Sequence, residues 1–326
     1  MKIINIGKVN LVKHNLFYYN TYCEQNKEVL DFWFSKSREE YNLSTILIND
    51  SNNIYGQILS SSMSYYYKFN DIQGNWIFDY IVNEEIRKEG YGIDLLQFAL
   101  LNRKAPIFAT GSGPLALKIE LKMGFKFIGE LRKYVGVSNP LFLPSSLFRG
   151  LLSMNKFPPS VVVRSKTFRL TTVDQLPEFS SPFNSGLLEF GRDNAFLKWR
   201  YFSDLHSYAF YKQADGDDYF VVRTIVKKGI TCQVMVDYRC DFSDKQNFIV
   251  LLKAVKKTAS KLKLSVIIAG SSLSITDEVF ENKRFKSIGR PRPIISTEKF
   301  KEEKQRIENR EFVFATLADS DGEITW

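Results

Sequence analysis

The residues with the clearest chemical use follow an apolar run that ends at Val82: Asn83-Glu84-Glu85-Ile86-Arg87-Lys88-Glu89-Gly90-Tyr91-Gly92, with a helical stripe starting directly after them. A strand, a turn ending in Arg-x-x-Gly-x-Gly and a helix leave unpaired backbone N–H groups at the helix start. Gly90 and Gly92 let a phosphate approach closely, and the helix dipole adds partial positive charge. A pyrophosphate suits that arrangement. The dipole contributes about 0.3–1 kcal/mol, or up to about 2 kcal/mol when partly buried, so hydrogen-bond geometry must supply most of the affinity. An ordinary turn that opens a helix has the same letters. Asp79 interrupts the apolar run 76–82 just before the motif. It is the best placed carboxylate to take the proton that an amine nucleophile must lose, which needs a base within about 3 Å. A loop-orienting or solvated aspartate reads the same way. His14 and His206 are the only histidines; both suit surface or structural positions, and His206 is kept as a catalytic candidate.

The elements that must position these residues are legible on both sides. Upstream, 45–48, 54–60 and 76–82 are β-rich runs separated by Asn, Asp, Ser and Gly turns. Downstream come the helical stripe Ile93, Leu96 and Leu100, an apolar strand at 106–110, a helix at 114–123, and Gly124-Phe125 opening a further strand. The whole succession resembles the GNAT superfamily of acyltransferases, and Val82, Arg87, Gly90, Gly92, Ala116, Gly124 and Phe125 stand where that pattern has them. The resemblance implies an α/β (α+β) fold with a mixed, mostly antiparallel central sheet flanked by helices, and acyl-CoA as the acyl donor. It also implies that the backbone of Tyr80 and Val82 holds the pantetheine arm while Arg87, Lys88, Glu89, Gly90, Tyr91 and Gly92 cradle the coenzyme A diphosphate. Two positions depart from the family. Where many members have a tyrosine that protonates the departing thiolate, and an asparagine at the helix start, this chain has Glu120 and Gly113. Glu120 can act as general acid only if burial raises its pKa towards neutrality; a solvated helix glutamate is the other reading. A Rossmann dinucleotide site competes for the glycines, but it belongs early in a parallel βαβ unit, and here antiparallel runs come first.

At 326 residues the chain suits two domains of about 150 residues each. With 44% hydrophobic and 25% charged residues it can build cores, which argues against extensive disorder. No apolar run approaches the roughly 18 residues of a membrane span, and residues 1–15 lack a signal-peptide core. Cys23, Cys232 and Cys240 form no CxxC pair, which disfavours disulfides and zinc. The expected setting is the cytoplasm, with no metal. The net charge of +9 favours anionic partners. Pro140, Pro144, Pro158 and Pro159 mark a break, so the reading is an N-terminal domain at 1–140, a connector at 141–160 and a C-terminal domain at 161–326. An ungapped repeat at an offset of 160 places 107–129 over 267–289, with Phe125/Phe285 and Gly129/Gly289 among its identities. Two GNAT folds in tandem are therefore expected. The second half shows a hairpin around Lys228 and Gly229 and a helix carrying Phe248, Leu251, Leu252, Val255 and Ala259, but no glycine in the turn 239–243, so only the first copy has a phosphate cradle.

Two segments of the second half suggest an acceptor. Phe196-Leu197-Lys198-Trp199-Arg200-Tyr201-Phe202 packs aromatics around cations, suiting a base or sugar face and a phosphate; an aromatic core strand has the same composition. After the strand 312–317 comes an acidic stretch with Asp319 and Asp321 that could bind sugar hydroxyls or an ammonium, or simply be a solvated terminus. These features resemble bacterial tandem-GNAT sugar N-acyltransferases. That resemblance implies a nucleotide-linked amino sugar as acceptor, such as a dTDP-3-amino-3,6-dideoxyhexose, an acetyl or 3-hydroxybutanoyl donor, Trp199, Arg200, Tyr201, Asp319 and Asp321 as acceptor-binding residues, a role in surface polysaccharide, no nucleic-acid or membrane partner, and a monomer or homodimer. The alternatives are an aminoacyl-tRNA-dependent peptidoglycan transferase and a non-enzymatic RNA-binding or scaffold protein.

Overall fold

The computed structural model describes residues 1–6, 42–49, 51, 53–142, 144, 156–179, 183–184, 186–203 and 205–320. In chain order the first half has β1 (Lys2–Ile6), β2 (Asn42–Ile48), β3 (Ile54–Tyr67), β4 (Asn70–Val82), α1 (Tyr91–Leu101), β5 (Ile107–Thr110), α2 (Pro114–Lys122) and β6 (Lys126–Val137). The second half has β7 (Ser160–Val163), β8 (Lys166–Leu170), β9 (Leu188–Phe190), α3 (Asn194–Tyr201), β10 (Tyr208–Gln213), β11 (Tyr219–Lys227), β12 (Ile230–Arg239), α4 (Lys245–Lys261), β13 (Val266–Ser271), α5 (Ser274–Asn282), β14 (Lys286–Ser296) and β15 (Val313–Phe314). The fold is mixed α/β, with a mostly antiparallel sheet flanked by helices, as the sequence predicts.

The repeat is realised element for element: β5, α2 and β6 in one half correspond to β13, α5 and β14 in the other. The two sheets, however, are joined into one. The strand order is β1-β2-β3-β4-β5-β14-β6-β13-β12-β11-β10-β8-β7, so the last strand of each repeat lies against the other half. β14 pairs with β5 at Ile294↔Thr110, and β6 pairs with β13 over Val266↔Val137 to Ser271↔Arg132.

Several local choices explain the elements. Lys68 and Phe69, both at positive φ, close the β3–β4 hairpin in two residues, a geometry whose twist matches that of the flanking strands. Lys228 and Gly229 do the same between β11 and β12. Asp244 caps α4, whose stripe of Phe248, Leu251, Leu252, Val255 and Ala259 is buried in one core while Lys253 and Lys257 stay exposed. Each of the larger side chains among them contributes about 1.5–3 kcal/mol of burial. A separate core, including Leu47, Ile58, Ile77, Leu95, Leu96, Ile107 and Phe125, lies under α1 and α2.

The structure decides two readings that the sequence leaves open. Residues 196–201 lie in α3 with Phe202 as its C-cap, because the Asp193 side chain accepts from the Phe196 amide and caps a helix that packs its aromatics into the core. The stretch around Asp319 is no solvated tail. After β15 the chain turns through a short helical turn, Leu317–Asp319, and Asp319 is buried. Asp321 and His14 lie outside the described residues.

Candidate active site

The site begins with a defect in β4. The β3–β4 register runs from Tyr67↔Asn70 to Leu59↔Phe78 and resumes at Gln57↔Ile81, so Asp79 and Tyr80 together face Ile58 alone. This is a β-bulge, and Asp79 takes a left-handed φ of 49° to make it. Parallel pairing of β4 with β5 ends at Ile77↔Ala109. Beyond that point β4 continues to Val82, while β5 stops and the chain turns through Gly111, at φ 89°, towards α2. The two strands splay apart, and the gap is a cleft of about 160 Å³ lined by Phe78, Asp79, Tyr80 and Ile81 on one side, Thr110 to Gly113 on the other, and Ala116 and Glu120 from α2.

Glu120 is 2% exposed, and its Oε2 has no hydrogen-bond partner among the described residues. Burial pushes its pKa up, partly offset by a hydrogen bond from Ser112. Tyr80 crosses from β4 to α1, donating to the Gly92 carbonyl at 2.6 Å; burial, then the nearby Glu120, pushes its phenol up as well. A Cβ on Gly92 would sit 3.1 Å from the Tyr80 hydroxyl, a tight contact that the phenol could accommodate only by shifting.

The turn between β4 and α1 is more closed than expected. Residues Glu84–Glu89 form a 3₁₀ helix, whose i→i−3 bonds take up amides within it. The Asn83 side chain accepts from the Glu85 amide at 3.0 Å. Arg87 donates from Nε and Nη2 to the Val82 carbonyl at 3.3 and 3.2 Å, so it clamps the strand end, and the Val82 carbonyl is already engaged. Lys88 and Glu89 are exposed. Gly90 is left-handed at φ 87° with nothing within 4 Å of where its Cβ would stand, and its carbonyl accepts from Ile93 at 2.8 Å and Asp94 at 3.5 Å. Among the described residues, the amides of Tyr91 and Gly92 open the helix without a backbone partner. The turn thus offers two amides without a backbone partner among the described residues, fewer than the run 87–92 that the sequence suggests. A diphosphate at this helix start, with a thioester-bearing arm along the free edge of β4, fits these residues.

The second half contains the same construction, closed. β12 pairs with β13 up to Met235↔Ala269, as β4 pairs with β5 up to Ile77↔Ala109, which sets Asp237-Tyr238 against Asp79-Tyr80. The Tyr238 hydroxyl donates to the Gly270 carbonyl at 3.1 Å, and Phe242, Phe248 and Phe314 pack around its ring. Asp237 accepts from Arg192 at 2.8 Å, Arg239 at 2.9 Å, Tyr201 at 2.7 Å, Tyr219 at 3.0 Å and Thr316 at 2.7 Å. Burial alone would raise its pKa; the two guanidinium groups outweigh that and hold it well below the carboxylate range. The Asp-Tyr repeat sits two residues off the offset of 160, and an alignment allowing a gap would have found it.

The remaining sequence candidates separate. Trp199 and Asp319 line a second, narrow cavity of about 30 Å³ together with Trp76, Arg192 and Thr110, and Thr110 also lines the cleft. Asp319 is bound there to Arg192 at 2.6 Å. Arg200 and Tyr201 line neither space: Arg200 is buried against the Tyr208 hydroxyl at 2.7 Å, and the Tyr201 phenol is spent on Asp237. His206 stands beside Tyr208, away from both. Among the described residues no group of three or more His, Cys, Asp or Glu could hold a metal, and no helix is long and apolar enough to cross a membrane. Cys232 and Cys240 are free and buried.

Superposition on solved structures identifies the architecture. The chain resembles an Enterococcus faecalis protein described as a "Probable N-Acyltransferase", with TM-score 0.60, 12% identity, and 90% of this chain and 72% of that one covered. It resembles a GCN5-related N-acetyltransferase of Anabaena variabilis with TM-score 0.56, 12% identity and coverage of 90% and 72%. Saccharomyces cerevisiae N-myristoyltransferase with bound myristoyl-CoA matches with TM-score 0.55, 12% identity and coverage of 83% and 73%. No family model and no curated protein matches the sequence. The fold is therefore that of the GCN5-related N-acetyltransferases.

Proposed function

We propose that the chain is an acyl-CoA-dependent N-acyltransferase that uses the first-half cleft, and that its acceptor is the amine of a nucleotide-linked amino sugar of the kind used in surface polysaccharide. The observation that carries the first part is the splay of β4 from β5 at the Asp79 bulge, beside a helix start whose first two amides have no backbone partner among the described residues. Bound acyl-CoA supplies the activated thioester, from an acetyl or 3-hydroxybutanoyl group. The Tyr91 and Gly92 amides hold its diphosphate, and the free edge at 78–82 lines its arm. Asp79, in the same cleft, takes the proton from the acceptor amine. Glu120, whose burial favours the protonated form, returns one to the departing thiolate. The acceptor assignment rests on the resemblance to tandem sugar N-acyltransferases and on the basic character of the chain.

Thermal melting of the full chain with acetyl-CoA tests the donor site. A ligand at about 100 times its Kd adds about 2.7 kcal/mol, which raises Tm by several degrees. No shift with acetyl-CoA or longer acyl-CoAs removes the assignment. Mass spectrometry of amino-sugar nucleotides incubated with acyl-CoAs then identifies the acceptor.

A further inference from the structure

β14 breaks register with β6 at two places, and the wider break lies between Ile288 and Arg292. Ile288 pairs with Lys133 and Arg292 with Leu131, so residues 289–291 bulge out opposite Arg132 alone, with Gly289 at φ 70°. Beneath the bulge is a cavity of about 230 Å³ lined by Lys133, Arg290 and Arg292 and by the apolar Leu131, Ile288 and Leu317. No carboxylate lines it among the described residues. The alternation of β6 sends Arg132 to the other face, where it meets Asp277 of α5 at 3.5 Å, while Leu131 and Lys133 share the face that carries the cavity. Three cations thus converge on one space. Burial first, then the charges of Arg292 and Lys227, push Lys133 down to about 8. A bound anion would relieve that repulsion.

The cavity also adjoins the acyl cleft. The Arg292 Cδ lies 3.3 Å from where a Cβ on Gly111 would be, and Gly111 lines the cleft. The Arg292 guanidinium meets the Ser320 hydroxyl, next to Asp319 in the second cavity. We infer that this cavity binds a phosphate group of the acceptor through Lys133, Arg290 and Arg292, next to the end of β5 where the amine must be presented. The word acceptor rests on the acyl-transfer reading; the anion site itself does not.

Calorimetric titration of the full chain with inorganic pyrophosphate at low ionic strength, with and without saturating acetyl-CoA, tests it. Pyrophosphate should still bind when acetyl-CoA is present. Arg290→Gln, at an exposed position, and Lys133→Met should each weaken pyrophosphate about tenfold and leave acetyl-CoA affinity unchanged. The site is refuted if pyrophosphate fails to bind, if acetyl-CoA abolishes its binding, or if neither variant weakens it. A chain that binds pyrophosphate in this way but no acyl-CoA keeps the anion site and loses the transferase reading. For turnover, Arg290→Gln should raise KM for an amino-sugar nucleotide and not for the same amino sugar without phosphate, with kcat unchanged. An equal rise for both overturns the acceptor assignment.

Discussion

Glu120 occupies a position where the amphipathic pattern of α2 allows a solvated side chain, yet it is among the most buried carboxyls of the first half. Its upward pKa shift has a defined sign for stability. Because the folded value lies above the unfolded one, the contribution is favourable at low pH and is lost as pH rises through the folded value. Glu120→Gln should therefore slow turnover, remove the alkaline fall in rate that a protonated acid imposes, and stabilise the free protein at alkaline pH by on the order of 1 kcal/mol. Rate profiles and urea melts across pH check this; an unchanged alkaline limb would assign the proton transfer elsewhere. Asp79 and Asp237 make the complementary point. The same Asp-Tyr pair lines an open cleft in one half and is locked between two guanidinium groups in the other, so residue type alone does not decide which aspartate can act.

At the scale of elements, the junction of β4 and α1 does most to shape the site. Gly90 and Gly92 look equivalent in sequence and differ in structure. Gly90 is favoured by its left-handed backbone, with open space where its Cβ would stand; Gly92 lies in tight contact with the Tyr80 hydroxyl. Gly90→Ala should cost about 1–2 kcal/mol in backbone strain. Gly92→Val should displace the Tyr80 phenol, cost about 1–3 kcal/mol by overpacking and weaken acetyl-CoA binding at least about tenfold. Denaturant melts and acetyl-CoA titration distinguish the two, and unaltered binding in Gly92→Val would show that the helix start is not the anion cradle. Helix α3 shows where local reading stops. Its aromatics favour a strand by propensity, but the Asp193 cap and the cavity wall they fill determine a helix.

The whole molecule is one interlocked sheet, and the tandem description holds for sequence better than for structure. β14 covers the edge of β5 that a separate first half would expose, and β6 completes the sheet of the second. Residues 1–155 expressed alone should aggregate or fail to bind acetyl-CoA, and co-expression with residues 156–326 should restore binding. Size-exclusion chromatography with acetyl-CoA melts reads this out, and a soluble, acetyl-CoA-binding fragment 1–155 would show that the exchange is dispensable. Sequence alone determined the strands and helices around the motif, the repeat, and the likeness of 83–92 to a phosphate-binding turn, because periodicity, capping and glycine placement are local properties. Tertiary structure alone decided the exchange of β6 and β14, the burial of Glu120 and Asp319, and the meeting of Lys133 with Arg290 and Arg292. Those depend on contacts between residues far apart in the chain, whose free energy no local pattern records.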